Sequence, residues 1–322
     1  MPGSLLSSNF QVGPTGVGRA KYPEGGITFH PLIQMTWRRR QQLEGAAFLA
    51  PGLAFFILVM AGPAMAGLLL GFFKATPTSR EWCGLANYAG LLHDKLFLQA
   101  ARNTARFVGF LVPAGTLLPL GLALLIYPLK PRLRAFFRGV FYLPVMVSGP
   151  VMVSTFLFLA EPHYGLLNYL LRTAGLDPVS WLGDRRFAWL FLCGIALFGG
   201  LGTDLIIFLV GLDAVPQELV DAAEMDGAGW WAQIRHIRLP LLRPMMLFVV
   251  LTNTTGALMM WDLPLMYSFG GPLNSTMTPA YLLYIRAFGS AEYGNAGAIG
   301  AYLMLAAGAL AMMQFKWLRP RT

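Results

Sequence analysis

Charged residues are spaced unevenly along the 322-residue chain, so that uncharged apolar runs alternate with shorter polar stretches. The runs cover residues 45–73, 107–129, 139–160, 187–212, 245–271 and 293–315. At 1.5 Å of rise per residue, a helix of twenty-odd residues crosses a hydrocarbon layer of roughly 30 Å. The pattern therefore predicts an all-α polytopic membrane protein with six transmembrane helices. Pro51 and Pro63 predict a bend in the first. Two acids, Asp204 and Asp262, interrupt the fourth and fifth, and glycines with Asn295 blur one edge of the sixth.

The polar stretch 213–244, DAVPQELVDAAEMDGAGWWAQIRHIRLPLLRP, has an internal pattern of its own. Pro216 suits a first helical position, and Glu218 complements the positive end of a helix dipole. Leu219, Val220, Ala222, Ala223 and Met225 give that helix an apolar side, with Glu218, Asp221 and Glu224 on the acidic one. Gly227 can end it in the left-handed conformation. A second helix is expected from Trp230 to Arg238, with Trp231, Ile234 and Ile237 three apart and Pro240 pushing Leu239 out of helical geometry. The reading is helix, turn, helix, with Ala222 and Ala223 small enough for another surface to approach closely.

At these residues the chain resembles the permease subunits of binding-protein-dependent ABC importers. Their cytoplasmic loop reads E-A-A-x-x-D-G-A-x-x-x-x-x-F-x-x-I-x-L-P. Asp221, Ala222, Ala223, Asp226, Gly227, Ala228, Ile234, Ile237, Leu239 and Pro240 keep its spacing, with Asp221 replacing Glu and Ile234 replacing Phe. Two further segments are similar to the same family. With a one-residue shift around Asn87, the residues Gly84, Leu85, Asn87, Tyr88, Leu91, Asp94, Phe97, Ala100, Asn103 and Thr104 follow its first external loop, expected as short surface helices. Gly270-Gly271-Pro272-Leu273-Asn274-Ser275-Thr276 follows its G-G-P-x-x-S-T segment after the fifth span. The resemblance spans residues 45–320 and points to the carbohydrate-importing branch. It implies that Glu218 and the loop residues engage an ATPase. It further implies a second permease subunit, two ATPase subunits holding ATP and Mg, and an extracytoplasmic solute-binding protein.

Composition agrees with a membrane chain: 56% of residues are hydrophobic and 12% charged, about half the charged share of a soluble domain. The net charge of +9 is explained by location. Residues 1–44 hold five Lys and Arg, 128–138 four, 213–244 three and the C-terminal end three, against nine on the alternate side. The positive-inside tendency then puts both termini and the 213–244 loop in the cytoplasm, with lipid and not nucleic acid beside the basic residues, and the resemblance implies that the membrane is a prokaryotic cell's inner membrane. Residues 1–36, rich in Gly, Pro and Ser, read as a disordered part of an N-terminal tail reaching residue 44, without a signal peptide's apolar core. The six-span domain occupies 45–318, followed by a short tail, 319–322.

The intramembrane polar residues are candidates for a solute pathway. The glycine-rich stretch Phe198-Gly199-Gly200-Leu201-Gly202-Thr203-Asp204 could break the fourth span, where a carboxylate is expensive unless paired or hydrated. Asp204 either lines a pathway or caps a half-helix. Asp262 shares a helical face with Thr252, Thr255 and Met259, and Trp261, Asn253 and Tyr267 could supply amide and aromatic contacts to a sugar. Packing between helices is the competing role, above all for Asn253.

No chemistry of its own is visible. None of the five lysines follows a glycine, so no phosphate-binding G-x-x-x-x-G-K loop exists. His30, His93, His163 and His236 lack ligand spacing, and Cys83 and Cys193 lie far apart. The chain is expected to be a permease without enzymatic activity, cofactor or metal, importing a sugar or oligosaccharide with energy from a separate ATPase. A self-contained secondary transporter or channel using Asp204 and Asp262 is the rival.

Overall fold

The structure, a computed structural model, describes residues 31–318. The Gly- and Pro-rich segment 1–30 and the terminal residues 319–322, with Arg319 and Arg321, lie outside the described residues. The chain divides into two units, one up to Gly62 and one from Pro63 onward. In the first, α1 (Pro31–Phe55) passes into a π-helical turn (Phe56–Ala61). The helix starts well before residue 45, because Leu32 to Glu44 contain no Gly or Pro and several good helix formers. Pro51 lies within it without ending it.

α2 (Gly62–Leu70), all but its first residue in the second unit, leads to a hairpin of β1 (Phe73–Ala75) and β2 (Arg80–Trp82), antiparallel with Phe73 opposite Trp82. This small sheet corrects the all-α expectation, although the protein is mostly helical. α3 (Ala86–His93) precedes α4 (Lys95–Ile126). Of the short helices expected before the second span, one forms as α3, and the rest of the segment joins α4. Asp94 Oδ1 accepts the Leu96 and Phe97 backbone N–H groups, at 2.8 and 3.4 Å, and this cap starts one 32-residue helix.

α4 is the spine of the unit. Its buried residues recur three or four apart from Phe97 to Ile126, making one continuous stripe. Three apolar clusters lie along that stripe. Phe97 joins Leu91, Tyr281, Leu282 and Ile299; Phe107 and Leu111 join Phe191, Leu192 and Tyr267; Leu120 and Ile126 join Leu205, Phe208, Leu212 and Leu242.

The third apolar run is not one helix. α5 (Pro131–Tyr142) continues through a 3-10 turn (Leu143–Met146), and α6 (Gly149–Leu159) leaves at 96°. Pro144, Gly149 and Pro150 surround the break, and Val147 is extended. α7 (Leu166–Thr173) precedes α8 (Arg185–Asp213), which runs unbroken through its glycines. The expected break does not occur, and one of these glycines, Gly202, serves close packing instead. A Cβ at Gly202 would fall on the carbonyl oxygen of Phe141, so α8 and α5 touch backbone to backbone there.

After α9 (Gln217–Met225), α10 (Trp230–Gln233) continues as a π-helical turn (Ile234–Arg238) and then α11 (Leu239–Leu241). α12 (Arg243–Leu258) departs at 65°. The fifth run therefore ends as a helix at Leu258, and a π-helical turn (Pro264–Ser268) follows a break. α13 (Pro279–Tyr284) and α14 (Tyr293–Leu318) complete the chain. Among the described residues, four helices are long and apolar enough to cross a membrane, or up to six if each bent pair counts as one span.

Candidate functional site

Two sites emerge, a cavity in the apolar part of the second unit and the element 217–241. The cavity, about 650 Å³, lies among α4, α6, α8, α12 and the 259–267 segment. Asp204, Asn253, Asp262 and Tyr267 line it, as do Trp261 and Met259. Asp204 is buried and Asn253 half-buried, and the amide Nδ2 of Asn253 donates to Asp204 Oδ2 at 3.0 Å. Asp204 is therefore not a helix cap. It is a buried acceptor paired across the helices, as a carboxylate in an apolar setting needs. Asn253 fits there because Gly115 leaves room: a Cβ on that glycine would meet the amide at 3.1 Å.

Asp262 departs from its expected helical face. α12 has ended at Leu258, so Asp262 reaches the cavity from a separate turn, exposed and without a hydrogen bond or ion pair among the described residues. Thr255 and Thr252 do not line the cavity. Their hydroxyls donate to carbonyls of their own helix, Thr255 to Leu251 at 2.9 Å and Thr252 to Phe248 at 3.0 Å. Tyr267 is buried, and its hydroxyl donates to the Met152 carbonyl on α6 at 3.2 Å. Its ring faces the cavity wall while its polar end fixes the bent pair. Sequence reasoning missed Gly115 and Met152, since neither residue type carries a polar signal and their partners lie far along the chain.

The element 217–241 is built locally. Pro216 is the residue before the first turn and not within it. At the other end Gly227 has φ +78°, the Gly227 N–H donates to Glu224 O at 3.0 Å, and the Ala228 N–H to Ala223 O at 2.8 Å. This pair of reversed bonds is a Schellman cap, and it requires a left-handed residue at Gly227. The Gln233 amide closes the turn by donating to Ala228 O at 3.2 Å and Glu224 Oε1 at 3.4 Å. Val220 and Ile234 are buried, and Ile237 and Leu239 are half-buried. Glu218, Asp221, Ala222 and Asp226 are exposed, with Ala223 and Ala228 half-buried; the apolar Leu219, Met225 and Trp231 are exposed as well.

Pro240 does not end the second helix. Leu239 keeps helical angles, φ −61° and ψ −43°, and its N–H bonds to Ile234 O, five residues back. Proline removes one donor and crowds the carbonyl four residues earlier; the wider π turn just ahead of Pro240 accommodates both. The Arg134 and Arg238 guanidinium groups both lie over the Tyr127 ring at the end of α4, 4.8 and 5.2 Å from its centroid. Arg134 also pairs with Asp213 at 2.9 Å, so the ends of α4 and α8, α5 and the element meet at one cluster.

A third group of residues, matched above to the first loop and the G-G-P segment, acts structurally. The Asn87 side chain donates to the Gly71 and Phe73 carbonyls, both at 2.9 Å, and Asn103 to those of Asn274 and Met277 at 2.7 and 2.9 Å. Asp94 Oδ2 accepts from Arg286, which also pairs with Glu292 at 2.8 Å.

Comparison with known proteins is consistent with this geometry. Residues 115–322 match the family model described as the binding-protein-dependent transport system inner membrane component. The chain is 33% identical over 277 residues to the probable ABC transporter permease protein YurN of Bacillus subtilis, covering 84% of this chain and 94% of that one. It is 28% identical over 291 residues to the lactose transport system permease protein LacF of Rhizobium radiobacter, covering 88% and 97%. Its fold is similar to a crystallised bacterial ABC transporter involved in import of the acidic polysaccharide alginate, with a TM-score of 0.78 at 22% identity, covering 90% of this chain and 99% of that one. The chain belongs to the family of inner-membrane components of binding-protein-dependent transport systems.

Proposed function

We propose that the chain is the permease subunit of an ATP-driven importer for a sugar or oligosaccharide, with the element 217–241 as the docking point of an ATPase subunit. The observation that carries this reading is the element itself. A locally capped helix pair presents acids, small alanines and the exposed apolar Leu219, Met225 and Trp231. Each bent pair counts as one span, which makes six with both termini and the element in the cytoplasm. Two ATPase subunits hold ATP and Mg, a second permease completes the pathway, and a binding protein delivers solute to the opposite face. Movement of the element passes through the Tyr127 cluster to α4, α5 and α8, whose shifts reshape the cavity. Asp204 and Asn253 frame the pathway while Asp262 and Trp261 meet the solute. A carboxylate beside an aromatic face suits sugar hydroxyls, and the lactose permease relative supports that solute class. The helix pair and the family membership favour this reading over a self-contained secondary transporter.

Two measurements test it together. In a chain lacking Cys83 and Cys193, Ala222→Cys should react with a membrane-impermeant thiol reagent only after the cells are opened. Ala223→Trp should insert normally yet reduce co-purification of the ATPase severalfold. Labelling from outside intact cells, or full ATPase retention with coupled transport, overturns the assignment.

A further inference from the structure

Four arginines form a cluster that the transport reading does not use. Arg102 and Arg106 lie one turn apart on α4, and Arg185 and Arg186 open α8. Two adjoining hollows share Arg106 and Arg185. One, about 220 Å³, is polar and is lined by Gln99, Arg102 and Asn103 as well. The other, about 620 Å³, is walled by Arg186, Gly109, Phe110 and Trp189.

No carboxylate among the described residues lies within ion-pair distance of these four guanidinium groups. The acid nearest in sequence, Asp184, caps α8 by accepting the Arg186 backbone N–H at 2.7 Å. Membrane orientation gives no reason for the cluster either, since all four belong to the side poorer in Lys and Arg.

The vertical order of the groove carries the argument. Arg106 and Arg186 are the last charges before the apolar parts of α4 and α8. Gly109 and Phe110 follow Arg106 at three and four residues, and Trp189 and Leu190 follow Arg186 likewise, so each basic group sits one turn above an apolar wall. Gly109 leaves the groove open between them. Phe110 and Leu190 are exposed, and Trp189 meets Phe110 edge to face with centroids 5.4 Å apart. The Trp189 indole N–H is buried without a hydrogen-bond partner among the described residues. Polar cations above an aromatic-lined apolar slot match a molecule with a negative headgroup and a hydrocarbon tail.

We propose that this groove between α4 and α8 binds an anionic phospholipid, its phosphate among Arg102, Arg106 and Arg185 and an acyl chain against Phe110 and Trp189. A free small anion would use the polar hollow but leave the apolar slot empty.

The test is lipid binding by the full chain in detergent, read by native mass spectrometry during titration with phosphatidylglycerol or phosphatidylcholine. The unaltered chain should prefer phosphatidylglycerol by at least about tenfold. The quadruple variant Arg102→Gln, Arg106→Gln, Arg185→Gln, Arg186→Gln should lose that preference while unfolding at an unchanged temperature in phosphatidylcholine. The control Arg132→Gln, Arg138→Gln should keep it. If the quadruple variant does not fold, the pairs Arg102→Gln, Arg186→Gln and Arg106→Gln, Arg185→Gln decide, each expected to lose part of the preference. Equal preference in the unaltered chain and the arginine variants overturns the proposal. So does inorganic phosphate that binds by itself and displaces the lipid completely, which would assign the arginines to a small anion.

Discussion

The element 217–241 and the cavity are held together in opposite ways. In the element, every bond that shapes the turn joins residues within about ten positions: Ala228 to Ala223, Gly227 to Glu224, Gln233 to Ala228 and Glu224. In the cavity, the two side-chain bonds span the fold, from Asn253 to Asp204 and from Tyr267 to Met152. A locally bonded element keeps its shape when it moves, so it can transmit force. A cavity closed by distant bonds changes shape when its helices move, which is what alternating access requires.

The largest effect should come from the frame of the cavity. Gly202→Val drives a branched side chain into the Phe141 backbone, where helices cannot separate without opening the cluster below, and should destabilise by about 3 kcal/mol. Thermal unfolding in detergent checks this, and an unchanged transition would mean that the close approach is dispensable. Next, Asn253→Leu leaves Asp204 buried without its donor and should cost about 2 kcal/mol, whereas Asp262→Ala, at an exposed residue without partners, should leave the transition in place and reduce transport. Equal behaviour of the two variants would erase the division between framing and solute-facing acids.

Gly227→Val sharpens the comparison from the other side. A β-branched residue at φ +78° costs about 1–2 kcal/mol and should tilt α10 without disturbing the distant spans. ATPase co-purification should fall while the unfolding transition of the spans persists. Loss of both together would show that the element is not locally autonomous.

The smallest effect concerns another locally bonded turn. The Tyr164 backbone N–H, then that of His163, holds the exposed Glu161 carboxyl below its usual range. A depressed folded-state pKa means that the contribution is present above the unfolded-state value and is lost as pH falls through the folded one. Limited proteolysis of the 161–184 segment should therefore rise modestly on acidification. Glu161→Gln should be cleaved at a rate that no longer changes with acidification.

The same contrast explains what could be read from the chain. The positive φ of Gly227 and the positions of the long helices follow from patterns within one or two turns, and they were legible. Asp204 drew notice as an isolated acid, yet nothing near it indicated Asn253, 49 residues away. The polar stripe through Thr252, Thr255 and Asp262 failed because periodicity assumes that a helix continues, and α12 stops at Leu258. Pro240 misled for a related reason: a π turn absorbs a proline, and no local residue pattern announces one. The glycines of α8 were read as weakness, whereas only the tertiary partner of Gly202 reveals that one as a contact point.

Those glycines also bear on how such a transporter can diversify. Gly202 has no space for even a methyl group, yet three residues earlier a Cβ at Gly199 would meet only the flexible Met152 side chain, at 3.6 Å from its sulfur. A side chain at position 199 would therefore extend toward the Met152 wall of the cavity, whereas position 202 admits none. One helix thus carries a permissive site and a forbidden site a single turn apart, so the cavity wall can be altered from α8 without rebuilding its contact with α5.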